Sequence, residues 1–120
     1  MSLKKSIAWK NFSKYIRLKY GPRCYTCGNI PKVLQAGHFV QGFGHQNTFF
    51  SERNVRPQCF RCNINLSGNG AEFARRLQEE FGLGIVKELT DEGRKYKQYA
   101  PKELKELAAY YKEKIKELNK

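Results

Sequence analysis

Residues 24–63 read CYTCGNIPKVLQAGHFVQGFGHQNTFFSERNVRPQCFRCN and hold all four cysteines and both histidines of the 120-residue chain. The cysteines fall as two Cys-x-x-Cys pairs, Cys24/Cys27 and Cys59/Cys62, with 31 residues between them. A two-residue spacer lets one tight turn present two sulfurs to the same ion. Four thiolates suit tetrahedral zinc, which needs no further ligand in a structural site. Gly28 after the first pair and Asn63 after the second are residues that help such a turn. Two alternatives compete. A redox Cys-x-x-Cys needs only one pair, and two disulfides suit a secreted chain. The duplicated spacing favours structural Zn2+. The long interval between the pairs has room for a hairpin carrying a second, functional site.

Working outward, the length fits one small domain with an appended arm, and a modest core gains from a metal that joins segments distant in sequence. No apolar run follows the basic residues at the start, and nothing approaches the ~20 apolar residues of a membrane span. The expected location is the cytoplasm, where thiols stay reduced. The formal charge is +12 and uneven. Residues 1–23 carry seven Lys/Arg and no acid, and residues 24–70 carry four against one, so ten of the twelve net charges lie in the first 70 residues. Clustered positive charge beside a metal site points to a polyanion, most simply nucleic acid, with a solubilising surface as the alternative.

Ser6 to Tyr20 (SIAWKNFSKYIRLKY) reads as a helix, with Ser6 as N-cap and Gly21-Pro22 as its stop. Its aromatics Trp9, Phe12 and Tyr15 follow the apolar face and read as core. Lys10, Lys14 and Arg17 form a basic stripe, fitted to phosphates or simply solvated. Residues 32–36 and 37–40 read as two short extended runs, and 41–47 as an exposed glycine-rich loop. A helix beginning after Cys62 is interrupted at Gly68-Asn69-Gly70. Ala71 to Phe81 is a better helix, Ile85 to Leu89 adds one turn, and 90–100 reads as a linker. Pro101 to Leu118 is strongly amphipathic. Packing on the domain is its default role, and a homodimer seam is the alternative.

A Cys-x-x-Cys pair, then Ala-Gly-His, then Asn, then Cys-x-x-Cys-Asn resembles the HNH, or ββα-metal, nucleases. The resemblance implies that His38 is the general base, that Asn54 orients it, and that Asn63 on the following helix holds a catalytic Mg2+ or Mn2+. Each role suits its side chain. Neutral imidazole accepts a proton near pH 7, and an amide oxygen that takes the ring's other N–H fixes the tautomer. The longer run FSKYIRL, CYTCG, QAGHF and NVRPQCFRCN is similar to the phage NinG/Rap recombination endonucleases, most specifically over 12–70. The zinc-joined hairpin also resembles the endonuclease VII resolvases. These resemblances imply an α+β fold: a small zinc-stapled ββα-metal (HNH, treble-clef-like) core over 1–89 with flanking helices, then a linker and amphipathic helix over 90–120. They imply a structure-selective endonuclease acting on branched DNA such as Holliday junctions and D-loops. Lys10, Lys14, Arg17, Arg56 and Arg61 are the expected DNA contacts.

The sequence departs from the pattern at three places. Many HNH enzymes carry Asp, Glu or His directly before the base, where Gly37 stands. Leu66 replaces a lysine usual after Cys-Asn-x-x, and Ser51 replaces an acid. The second ligand of the catalytic metal is therefore open among His45, Glu52 and a backbone oxygen. The competing functional class is a zinc-stabilised DNA-binding module without chemistry, which Gly37 favours.

Overall fold

The computed structural model describes residues 1–42 and 44–120; the glycine-rich loop expected over 41–47 includes Phe43, which lies outside them. The chain forms helix α1 (Leu3–Tyr20), strands β1 (Gln35–His38) and β2 (Val55–Gln58), a π-helical turn (Arg61–Asn65), and helices α2 (Gly70–Phe81), α3 (Ile85–Gly93) and α4 (Pro101–Leu118). It is a mixed fold, a two-stranded antiparallel ribbon enclosed by helices.

α1 begins earlier than expected because Ser2, not Ser6, caps it: the Ser2 Oγ accepts from the Lys5 N–H at 3.2 Å. The helix buries Ala8, Phe12, Tyr15 and Ile16, a stripe at helical spacing. α4 lies along it, contributing Leu104 and Tyr111 to the same core, and Pro101 occupies the first turn, where a missing N–H is harmless. The Tyr111 ring meets Phe12 edge-on at 4.9 Å, and the Asn11 amide donates to the Ala108 carbonyl at 2.9 Å. The boundary expected at residue 90 thus separates no core of its own, and the apolar face of α4 is used within the chain. The expected linker is partly helix, since α3 runs on to Gly93.

β1 and β2 pair in the register Gln35↔Gln58, Ala36↔Pro57, Gly37↔Arg56 and His38↔Val55. Only one strand forms where two extended runs were expected. Alternation along the ribbon gives it two faces. Ala36 and Val55 meet the first core, with α1, α4, Phe49 and Phe50. Arg56 reaches α2 on the opposite face, where its guanidinium binds Glu80 at 3.0 Å. A second core, Phe73, Leu77, Ile85 and Leu89 with Tyr25, Phe39 and Val40, joins α2 and α3 to the body. Fully burying one such side chain is worth about 1.5–3 kcal/mol, so two small cores leave modest stability. No helix among the described residues is long and apolar enough to cross a membrane.

Candidate metal centre and the histidine beside it

The first Cys-x-x-Cys turn is closed by the Gly28 N–H donating to the Cys24 carbonyl at 2.9 Å, with Gly28 at φ 79°, a conformation that glycine adopts without strain. The Tyr25 N–H donates to the Pro57 carbonyl at 2.8 Å, which lays this turn against β2. The second turn starts where β2 ends. All four cysteines are free thiols, and their sulfurs lie within 4.8 Å of one another. The Cys27 and Cys59 sulfurs are 3.8 Å apart. A tetrahedron with Zn–S of about 2.3 Å has S–S edges of about 3.8 Å, so the quartet fits and can hold a zinc ion.

Nearby donors prepare it. The Thr26 hydroxyl lies 3.4 Å from the Cys24 sulfur, the Cys62 N–H donates to the Cys59 sulfur at 3.4 Å, and the Asn69 amide to the Cys62 sulfur at 3.7 Å. Burial pushes the Cys24 thiol up, but hydrogen bonds from Thr26 and from backbone N–H groups outweigh it and bring it down to about 6. Burial pushes Cys27 and Cys59 up. Four sulfurs this close cannot all ionise without a cation among them.

His38 is half-buried at the end of β1. Its ring stacks on Trp9 at 5.0 Å and on Phe49 at 4.8 Å. The Nε2 lies 3.0 Å from the Phe49 carbonyl oxygen. A carbonyl only accepts, so Nε2 carries the proton and Nδ1 keeps its lone pair in the neutral ring. Burial holds the pKa below the usual imidazole value, partly opposed by the bond to Phe49.

The orienting role expected of Asn54 therefore belongs to a backbone carbonyl. Asn54 is fully buried and does something else. Its Oδ1 accepts from the Val40 N–H at 2.8 Å, and its Nδ2 donates to the carbonyls of Val40 (3.2 Å) and Thr48 (3.1 Å). It ties together the ends of the loop that carries Phe49, and so reaches His38 only through that loop.

Gly37 and His38 lie on opposite faces of the ribbon. A Cβ on Gly37 would sit 1.9 Å from the Gln58 Oε1 and 2.9 Å from the Asn63 Oδ1. Gln58 is fully buried, and its Nε2 donates to the Thr26 hydroxyl at 3.1 Å and the Gly68 carbonyl at 2.8 Å. Its Oε1 has no hydrogen-bond partner. The space where the resemblance implies an acidic side chain is filled by this amide. Asn63, in the π-helical turn, donates from Nδ2 to the Gln35 Oε1 at 2.8 Å, leaving its oxygen toward Gly37. Two amide oxygens thus converge beside Gly37, with no carboxylate among them.

The remaining expectations divide. His45 is exposed and stacks on Tyr96 at 5.5 Å. Among the described residues the cysteine quartet is the one group of three or more His, Cys, Asp or Glu placed to share an ion, so neither histidine joins such a group. The Glu52 carboxylate accepts from the Tyr20 and Tyr111 hydroxyls, both at 3.2 Å, and ties α1 to α4. Arg56, expected on DNA, is 1% exposed, with its guanidinium 3.9 Å from the Tyr20 ring centre and paired to Glu80. It is a structural cation that no phosphate reaches. Arg61, Lys10 and Lys14 are exposed, while half-buried Arg17 donates to the Ser13 carbonyl at 3.2 Å. Trp9, Phe49 and Gln58 went unrecognised in the sequence as site residues. Trp9 matches a core stripe, Phe49 acts through its backbone, and Gln58 gave no signal beyond adjoining Cys59.

Fold and site together define a small α+β protein whose ribbon is gathered under a four-cysteine centre that can hold metal. The family model described as Bacteriophage Lambda NinG protein matches residues 3–120, and the chain belongs to the NinG family. It is 30% identical over 96 residues to Protein ninG of Salmonella phage P22, covering 79% of this chain and 47% of that one. It is 29% identical, with the same coverage, to Protein ninG of Escherichia phage lambda. The chain thus spans about half the length of these relatives. No solved structure matches.

Proposed function

We propose that this chain is a metal-dependent DNA endonuclease with His38 as general base. The observation that carries the reading is the imidazole itself: fixed by the Phe49 carbonyl, held neutral by burial, and left with a lone pair on Nδ1. Such a ring takes a proton from water attacking phosphorus, a role worth about 10²–10⁴ in rate. Asn63, which is only half-buried, offers an amide oxygen for Mg2+ or Mn2+, which would neutralise charge on the phosphate. Neutral donors make a weak site, so the phosphate itself would supply much of the charge that holds the cation. The zinc quartet fixes the ribbon and takes no part in the chemistry. The resemblance to recombination endonucleases extends the reading to branched DNA.

A binding module without chemistry was the competing reading, and it rested on Gly37. Gln58 accounts for that glycine by packing but supplies no carboxylate, so cleavage itself distinguishes the two readings. The test is cleavage of a four-way junction and a linear duplex with Mg2+ or Mn2+. His38→Ala should lose at least a hundredfold in cleavage rate while zinc content and DNA affinity stay near wild type. Cleavage by His38→Ala at the wild-type rate would place the base elsewhere. A wild type that cuts neither DNA with either metal would return the binding module.

A further inference from the structure

α1 and α4 lie side by side, and the residues that meet advance together, Asn11 with Ala108 and Tyr15 with Tyr111, so the helices run in the same direction. Between them opens a groove framed by Lys10 and Lys14 on α1 and by Lys112 and Lys116 on α4, with no acidic residue in its lining. All four lysines are exposed. Each pair is one turn apart, about 6 Å along its helix. Of the other lysines of α4 and its approach, Lys97 pairs with Glu103 at 2.9 Å and Lys114 with Glu117 at 3.5 Å, while Lys102 and Lys105 make no salt bridge among the described residues. Lys116 reaches Glu113 only at 3.9 Å, and Lys10, Lys14 and Lys112 make no salt bridge among the described residues. Four ammonium groups facing one groove repel one another, an arrangement that a bound polyanion relieves.

The groove is also separate from the histidine. Trp9 stacks on His38, and successive helical residues turn by about 100°, so Lys10 and Lys14 leave α1 roughly 100° and 140° away from it. The floor argues against a protein partner. Its apolar lining is Ile7, Ala108, Ala109 and Ile115, without the aromatic side chains that dominate the hot spots of protein interfaces.

We propose that this groove binds the phosphate backbone of a second DNA segment, distinct from the one that meets His38. The inference rests on the reading of the chain as a protein that acts on DNA. The groove opens on a different side of α1 from the His38 face, so a second arm leaving a junction can occupy it. The groove is then the part of the surface that distinguishes branched from linear substrate.

The test uses the full zinc-loaded chain, a four-way junction and a linear duplex of matching sequence, with binding measured across a salt series. Lys112→Glu/Lys116→Glu should weaken junction binding at least tenfold and leave duplex binding within twofold. The milder Lys112→Gln/Lys116→Gln should lower the junction salt slope by about 0.9 for each phosphate that is no longer neutralised. Unchanged melting of both variants shows that the fold is intact, and the glutamine pair alone decides if the glutamate pair misfolds. Equal weakening on junction and duplex would overturn the inference, because the groove would then serve the same segment as His38. Junction binding unchanged by both substitution pairs, when the wild type binds and cuts, would also overturn it. So would such a result together with lysine-dependent binding of an acidic amphipathic peptide, which would make the groove a protein dock. A wild type that binds neither DNA overturns the DNA reading and the inference with it.

Discussion

Replacing Gly37 with alanine tests why the residue before His38 carries no side chain. Gly37 has no positive φ, so its backbone accepts alanine. In open space the substitution would stabilise the protein by about 0.4–1 kcal/mol, by reducing the freedom of the unfolded chain. The structure predicts the opposite sign. The new Cβ would lie 1.9 Å from the Gln58 Oε1, so Gln58 must retreat by more than an ångström. Overpacking costs about 1–3 kcal/mol. The retreat also breaks the bonds from Gln58 to Thr26 and Gly68, and an unsatisfied buried carbonyl costs about 1–3 kcal/mol more. A net loss of about 2–4 kcal/mol should lower the melting temperature by roughly 10 °C or more. Urea and thermal denaturation of zinc-loaded protein measure it. The pair Gly37→Ala/Gln58→Ala provides the control. Removing Gln58 removes the clash, so the two substitutions should be coupled by about 1–3 kcal/mol rather than add. A Gly37→Ala protein as stable as wild type, or more so, refutes the packing account and reopens Gly37 as a lost ligand.

Further outcomes follow from the same geometry. Cys59→Ser, or strong chelation of the wild type, should abolish cooperative unfolding, because metal binding in such sites contributes on the order of 10 kcal/mol to folding; far-UV spectra and zinc stoichiometry check it. Asn54→Ala should cost about 3 kcal/mol by removing three hydrogen bonds at about 1 kcal/mol each. Direct orientation of His38 by Asn54 would instead give a small stability loss with a changed imidazole tautomer by NMR. The pH dependence of His38 has a definite sign. Its folded pKa lies below the unfolded value of about 6.5, so the unfolded chain takes up the proton first. Its contribution to stability is complete above the unfolded value, declines as pH falls, and levels off below the folded one. His38→Gln should flatten that part of the curve, and wild-type single-turnover cleavage should persist below pH 6.5.

Much of the metal centre was legible because its spacing is a covalent fact: two turns of fixed length bring sulfurs together wherever the chain between them goes. α4 was equally legible, since Leu104 and Tyr111 repeat on one face over a run without breakers. Arg56 misled, because exposure is the default for arginine, and its burial depends on Tyr20, Tyr25, Phe81 and Glu80 from three separate segments. Asn54 was identified as a site residue but given the wrong partner, since the competing acceptor is a main-chain carbonyl, which every residue carries. The Gln58–Gly37 approach was hidden for a related reason: strand register pairs Gln58 with Gln35, and only the side chain's diagonal reach brings it over Gly37.

The direct run from β2 into the second pair of cysteines has a consequence for assembly. Gln58 is the last residue of the strand and Cys59 is the first cysteine of the second pair, with nothing between them to absorb an error. A slip of one residue would carry Cys59 about 3.3 Å along the ribbon, more than a whole Zn–S bond of about 2.3 Å. The same slip would exchange the faces of the strand and move Val55 from its place beside His38. A metal bound by the four cysteines would therefore act as a gauge on strand alignment, because a misaligned chain cannot close the tetrahedron. A preparation's zinc content should then report the fraction of molecules whose His38 is correctly seated.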